Sequence, residues 1–361
     1  MKVKIDYDIF DSIKTSQQQQ ELLFLLNILT YKQRYDLIII DDVLKTNAYS
    51  NMSKSDQAII NQSFIYSTIA SKKDFDCVVT KNGHIEYDDK KFSLEEAIRY
   101  LIQPLSIIVE NSSNDAHFLL SVFRAFDVEK KLIHAYNNGW LQFDNAGGCG
   151  NVLNLLESRR QFYAGKTKFL HCYILLDSDK RFPNDVNPKY NKLIKQLQEW
   201  KISYHILEKR CMENYLPEVA MEKILGNNDN NKWIKAYQSL TPIQKDYFCI
   251  AEGFSKDLTK ANLKDVENEK KGKKYKKGLH KVSLVRKYLP NDIKSLYQTV
   301  SEGNFIHLEK GLNIKGNFKD EYPKAFDNIG YVYRKTLEQI TAHQNNPQEL
   351  TQISNEIKSI L

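Results

Sequence analysis

The chain has 361 residues, of which 42% are hydrophobic, 27% charged and 11% aromatic, and its formal net charge is +7. These proportions exclude the disordered, collagen-like and disulfide-scaffold classes, and the length suits one domain with additions or two domains. No apolar run approaches the roughly 18 residues that a membrane-spanning helix needs. Acid arrives at Asp6, too early for a secretory signal, so a soluble cytosolic protein is expected. The excess charge is local: nine basic residues and no acidic ones lie between Lys270 and Lys287, and the remainder holds 43 basic against 45 acidic. A polyanion-binding patch has this form in sequence, and so does a solvated lysine-rich loop. The five cysteines (Cys77, Cys149, Cys172, Cys211, Cys249) are odd in number and form no Cys-x-x-Cys clip. Free thiols are therefore expected rather than a zinc ribbon or a disulfide framework.

In chain order, residues 1–103 read as a mixed α+β region without a site-like cluster. Helical spacing runs over Gln20–Tyr31 and Ser55–Ala70, with a short strand at Leu37–Ile40. Cys77–Val79 and His84–Tyr87 read as a hairpin, because the Asn82-Gly83 pair between them favours a tight primed turn. From 104 to 217 strands and helices alternate: strand Ser106–Val109, helix Asp115–Phe126, an apolar segment Trp140–Phe143, helix Asn151–Phe162, strand Leu170–Leu176, helix Lys189–Trp200 and strand Ser203–Leu207. Such alternation predicts βαβ units and a parallel sheet with helices on both faces, with ligands at the carboxyl ends of its strands. From 218 to 361 the pattern is mainly helical: Pro217–Leu225, Lys232–Leu240, Asn291–Ser301, Pro323–His343 and a last helix from Asn346 towards Leu361, with a loop at Asn227–Asn231. No internal repeat is present in the sequence.

Acid stands at the predicted strand ends. Ile107-Ile108-Val109 ends in Glu110, and Tyr173–Leu176 ends in Asp177 and Asp179. Between them Gly147-Gly148 supplies a tight strand-to-helix turn. Hard oxygen ligands brought together from separate strands suit Mg²⁺ or Mn²⁺. A lone Asp-x-Asp is more often a surface turn, but three acids at two strand ends of one sheet raise the metal reading above it. Gly165-Lys166-Thr167 mimics the end of a phosphate-binding loop, yet Arg160 occupies the place of its first glycine and excludes it. His117 reads as part of a polar helix face; His134, His171 and His205 belong to no spaced set of Cys and His ligands, although Cys172 follows His171 directly, and no Ser-His-Asp order stands out.

Ile107-Ile108-Val109-Glu110, with Asp115 leading into a helix, resembles the first motif of the TOPRIM family. Gly147-Gly148 fits the family's glycine turn, and Leu175-Leu176-Asp177-Ser178-Asp179 resembles its Asp-x-Asp motif. Leu207–Pro217 resembles the Leu-x-x-Arg-x-x-Glu-Asn-Tyr-Leu element of OLD-like nucleases and related stand-alone effectors of bacterial anti-phage defence. The resemblance covers roughly residues 105–217. It departs at Asn111, where the family usually has glycine, and in a first loop one residue longer than usual, which leaves Asn114 and Asp115 both as candidates to face the site. It also lacks the ATPase that OLD enzymes carry in the same chain.

The resemblance implies an α/β fold with a central parallel TOPRIM-type sheet flanked by helices. It further implies a metal-dependent endonuclease that hydrolyses phosphodiester bonds. Glu110, Asp177 and Asp179 would hold Mg²⁺ or Mn²⁺, with Asp115 and Glu213 as candidates for a second ion. Lys209 and Arg210 would neutralise charge on the phosphate, and Lys270, Lys271, Lys273, Lys274, Lys276 and Lys277 would hold the nucleic acid. Glu213 has a second reading as the cap of a helix near Asn214, and Glu208 is open between metal ligand and salt-bridge partner. A separate ATPase subunit, another regulatory partner or a homo-oligomer is expected as restraint, by analogy. The competing expectation is a non-catalytic TOPRIM-like nucleic-acid-binding protein or regulated subunit.

Overall fold

The computed structural model describes residues 1–40, 43–69, 75–83, 90–162, 170–225, 231–272, 283–312 and 318–361. Within them lie two four-stranded sheets, and every strand pairing is parallel. In the first sheet β1 (Lys2–Ile5), β2 (Asp36–Ile38), β3 (Cys77–Val79) and β4 (Lys91–Phe92) lie in the order β2-β1-β3-β4. In the second, β5 (Leu105–Val109), β6 (Leu141–Asn145), β7 (Cys172–Leu176) and β8 (Ser203–Ile206) lie in the order β6-β5-β7-β8. The strand order repeats although the sequence does not.

The N-terminal region thus forms an all-parallel sheet where a mixed layer with a hairpin was expected. The second arm of that hairpin, 84–87, lies outside the described residues, and β3 pairs in parallel with β1 and β4. β1 escapes a sequence reading because Lys-Val-Lys-Ile is too short for its alternation of buried Val3 and Ile5 to stand out. The helices Ser16–Thr30, Lys54–Ile69 and Leu94–Leu101 accompany this sheet. A capping box starts the first of them: Gln18 N–H donates to Thr15 Oγ1 at 3.2 Å while Gln18 Oε1 accepts Thr15 N–H. Val3, Ile5, Leu22, Leu25, Leu29 and Tyr100 belong to a core separate from the rest of the molecule.

In the second sheet the central strands β5 and β7 are buried throughout. Ile107, Val109, Tyr173 and Leu175 point to one face, where they join the helix Ser112–Phe126 and the C-terminal helices in one continuous core that includes Trp233, Phe248, Phe305, Leu337 and Ile353. Ile108, Ile174 and Leu176 point to the other face and pack on Val152, Leu156, Leu193 and Leu197 of the helices Val152–Phe162 and Asn191–Glu199. Helices therefore cover both faces, which is why these strands read as unbroken apolar runs. The C-terminal helices share this core instead of standing apart. The run predicted over 323–343 is two helices, Phe318–Ala325 and Arg334–Thr341, broken where Asn328 Oδ1 accepts the Gly330 N–H at 3.0 Å. Of the predicted loop Asn227–Asn231, residues 227–230 lie outside the described residues and Asn231 starts the helix Asn231–Gln238. All five cysteines are free thiols, and no described helix is long and apolar enough to cross a membrane.

Candidate active site at the strand ends

In the order β6-β5-β7-β8, the connections leaving β5 and β7 run to opposite edges of the sheet. Their carboxyl ends therefore frame the crevice in which such sheets bind ligands. Ile108 pairs with Ile174, so continuing the register sets Glu110 level with Leu176, one residue before Asp177. Chain topology alone thus brings together Glu110 and the Asp177–Asp179 turn. The adjoining turn after β6 needs its glycines: Gly147 and Gly148 have φ of 71° and 111°, and Gly148 N–H donates to the Glu110 carbonyl at 3.2 Å.

The carboxyls interact strongly. Burial, and after it the charge of Asp179, raises the Glu110 pKa, which Lys189 partly offsets. Glu110 Oε1 is buried without a hydrogen-bond partner. Asp115 lies in the first turn of the Ser112–Phe126 helix, and its Oδ2 accepts the N–H of the N-cap residue Asn111 at 2.8 Å. Burial pushes its pKa up to about 7, the Asn111 bond opposing and Glu213 and Glu110 adding to the shift. The charge of Asp115 thus couples to Glu110, Glu213 and Asp177. Asp177 is raised well above the carboxylate range by burial and then by Glu213, Asp115, Glu110 and Asp179; its Oδ1 accepts the Met212 N–H at 3.0 Å. Asp179 is exposed at the crevice mouth with a left-handed φ of 52°, a conformation Asp tolerates better than most residues.

Sequence reasoning missed three side chains here. The Lys189 ammonium pairs with Asp179, which holds its pKa above the ordinary value against the effect of burial. The Tyr190 hydroxyl donates to the Asp177 carbonyl at 2.6 Å and lies 3.4 Å from Asp179 Oδ2. Both precede the helix Asn191–Glu199, ten residues beyond the acidic turn, so their polar position before an amphipathic run is the only signal they give. Tyr322 comes from the Phe318–Ala325 helix, and its pKa is raised by burial and by Glu213 and Asp115. No pattern near residue 322 points to the crevice.

Lys209 and Arg210 require correction. Their side chains turn away into buried ion pairs: Lys209 Nζ with Asp246 Oδ1 at 2.7 Å, and Arg210 with both oxygens of Asp257 at 2.9 and 3.2 Å. Burial lowers the Lys209 pKa against the pull of Asp246, whereas Asp257 holds the Arg210 guanidinium above its usual value despite burial. What the two residues give the site is backbone: the Lys209 carbonyl accepts Ser178 Oγ–H at 2.6 Å, and the Arg210 carbonyl accepts Asp179 N–H at 2.9 Å. The rest of the element is also mainly scaffold. Leu207 is buried, Asn214 Nδ2 donates to the carbonyls of Lys245 and Phe248, and the Tyr215 hydroxyl bonds Glu349. Glu213 is the member that couples to the carboxylates; the segment Met212–Tyr215 is itself a short 3₁₀ helix rather than the start of an α-helix. Glu208 Oε1 accepts the Asn346 N–H at 2.9 Å.

Among the described residues no group of three or more His, Cys, Asp or Glu side chains is disposed to hold a metal ion as it stands. Each acid that bonds takes a donor of its own: Asp115 from Asn111, Asp177 from Met212, Asp179 from Lys189. Of the predicted nucleic-acid contacts, Lys270 and Lys271 lie in the helix Lys260–Gly272, while Lys273, Lys274, Lys276 and Lys277 lie outside the described residues. No family model matches the chain, and no curated protein or solved structure matches it either.

Proposed function

We propose that this chain is a TOPRIM-type, divalent-metal-dependent endonuclease that hydrolyses phosphodiester bonds of nucleic acid as an anti-phage effector. The observation that carries the reading is the meeting of Glu110, Asp177 and Asp179 at the switch point between β5 and β7, with Glu110 Oε1 buried and unpartnered. A hard cation answers both the all-carboxylate donor set and the burial and repulsion that raise the Glu110 and Asp177 pKa values. Glu110, Asp177 and Asp179 would hold Mg²⁺ or Mn²⁺, with Asp115 and Glu213 beside them. Once bound, the ion would lower the pKa of a water and stabilise negative charge on the phosphate. The chain's own contribution is positioning: Tyr190 and the backbone of Lys209 and Arg210 fix the Asp177–Asp179 turn, and Lys189 sets a positive charge where a phosphate would approach.

The test is incubation of the purified protein with Mg²⁺ and separate pools of plasmid, single-stranded DNA and total RNA. Asp177→Asn and Asp179→Asn are expected to abolish cleavage with the melting temperature retained; cleavage at wild-type rates by both sinks the assignment. The ion pair between Asp179 and Lys189 favours one other reading, a non-catalytic nucleic-acid-binding subunit in which lysine supplies the site's positive charge. Mn²⁺ raises the melting temperature under the first reading, by mass action on the native state, and leaves it unmoved under the second.

A further inference from the structure

A cavity of about 450 Å³ opens beside Asp179. Its walls are the loop from Asp179 to Pro188, which follows β7, and the segment Lys256–Thr259 that leads into the helix Lys260–Gly272. The Arg210–Asp257 pair lies between them with side chains only 7% and 3% exposed, each closed on the other. At the rim the cations are different. Arg181 is 42% exposed and pairs with Asp185 at 2.9 Å; Lys256 is 49% exposed and pairs with Glu252 at 2.7 Å. The Lys256–Glu252 pair is exposed on both sides and worth at most about 1 kcal/mol, so a phosphate can take Lys256 at little cost; Asp185, only 11% exposed, holds Arg181 through Nε and Nη2, which leaves Nη1 outside that pair to meet a phosphate. The volume falls within the roughly 300–1,000 Å³ of small-ligand sites. Among the described residues no aromatic side chain lines it, so none of them selects a base by stacking.

We propose that this cavity seats the nucleotide next to the phosphodiester being cleaved, with Arg181 and Lys256 gripping its backbone phosphates without regard to sequence. The inference rests on the nuclease reading, in which Asp179, on the cavity wall, belongs to the cleaving group. It gives the site a strand path that the sequence did not indicate, because Arg181 and Lys256 lie 75 positions apart.

The experiment measures binding apart from chemistry. Fluorescein-labelled 20-nucleotide single-stranded DNA and RNA of mixed sequence are titrated by anisotropy in EDTA against wild type and three double variants. Arg181→Ala/Lys256→Ala is expected to bind about tenfold or more weakly, with the salt slope reduced by about 1.4 for two lost phosphate contacts to a single strand. Arg181→Lys/Lys256→Arg, which keeps both charges, is expected to restore binding. Arg99→Ala/Lys131→Ala removes the same charge from two other exposed ion pairs and is expected to bind like wild type. With Mg²⁺ present, the alanine double variant raises KM and keeps kcat, whereas Asp177→Asn loses kcat. If wild type binds and cleaves while the alanine double variant matches it, the cavity assignment is overturned and the nuclease reading stands. If the Arg99/Lys131 control weakens binding equally, the effect is net charge and the assignment also fails. If wild type neither binds nor cleaves any pool, the nuclease reading fails and this inference with it.

Discussion

The molecule contains the same parallel strand order twice, and among the described residues the carboxyls of a candidate site gather at only one copy. Both sheets create a crevice where their two central strands end: Ile5 and Val79 in the first, Val109 and Leu176 in the second. In the first, Asp6 pairs with Lys4 at 2.5 Å, and Asp8 Oδ2 accepts Thr80 Oγ1–H at 2.6 Å and Lys81 N–H at 3.0 Å. Asp8 thus stitches one loop to the next, with its Oδ1 buried and unpartnered, while Asp6 pairs within its own strand end. In the second, five carboxyls from four segments act on one another, and burial raises three of them. The strands differ to match: β1 alternates half-buried and buried residues, whereas β5 and β7 are buried on both faces. A switch point is thus a geometric opportunity; it becomes a candidate site where carboxyls from several segments meet and raise one another's pKa.

The sharpest way to break this comparison is to remove acids from both crevices. Glu110→Ala or Asp177→Ala is expected to lower Mg²⁺-dependent cleavage by at least about a hundredfold, because even the outer partners of metal ligands are worth about 10- to 100-fold. Asp6→Ala and Asp8→Ala are expected to cleave like wild type. Equal losses in rate assays of both sets would erase the distinction. The next largest effect separates scaffold from chemistry within the second unit. Arg210→Ala strands Asp257 as a buried, uncompensated charge and is expected to cost about 3–5 kcal/mol of stability in denaturant unfolding. A stable Arg210→Ala that had lost cleavage alone would return the guanidinium to the active site.

The second unit was legible because a doubly covered parallel strand writes itself as a continuous apolar run, and its terminal acid follows directly. Ile107-Ile108-Val109-Glu110 and Leu175-Leu176-Asp177 carry strand, end and chemistry in a few residues. The roles of Lys209 and Arg210 were not legible, because nearness in sequence to an acidic turn says nothing about direction. Their partners, Asp246 and Asp257, stand 37 and 47 positions further on. The closing contacts of the last helix, Glu349–Ile360, were equally hidden. The buried Glu349 carboxylate accepts from Glu208 N–H at 2.7 Å and from Gln344 at 3.1 Å, and meets His205 at 2.9 Å, a set scattered over 145 residues. The first sheet was half legible: its helices show 3.6-residue spacing, but two- to four-residue strands give periodicity too little length to register.

The remaining predictions concern the junction between the two units. His171 lies there, its Nε2 2.9 Å from the Ile360 carbonyl, its Nδ1 3.3 Å from the Gln103 carbonyl and its ring 4.8 Å from that of Tyr100. Burial lowers its pKa to about 4. Since an unfolded histidine takes up its proton near pH 6.5, the unfolded chain binds more protons between about pH 6.5 and 4. The His171 contribution is therefore complete above that window and is lost on acidification through it, at most about 3 kcal/mol. His171→Phe is expected to flatten the difference in stability between pH 7 and pH 4.5; an unchanged slope would place the imidazole in contact with water.

The smallest effect asks whether the two sheets unfold as one. Ser93 caps the helix Leu94–Leu101 in the first unit: its Oγ accepts the Glu96 N–H at 3.4 Å, and Glu96 Oε2 accepts the Ser93 N–H at 3.1 Å. Ser93→Ala is expected to cost about 1 kcal/mol. Because the first unit has its own core and β1 is only half-buried, it is expected to melt first in calorimetry, as a transition of its own. The substitution should then lower that transition by a few degrees and leave the later one in place. A single transition, displaced as a whole, would show that contacts such as the Lys32–Asn138 bond at 3.0 Å and the ring contact between Tyr100 and His171 bind the units into one cooperative block. The repeated strand order would then be one scaffold with a site at one end, and the first crevice would serve the second by holding its sheet in place.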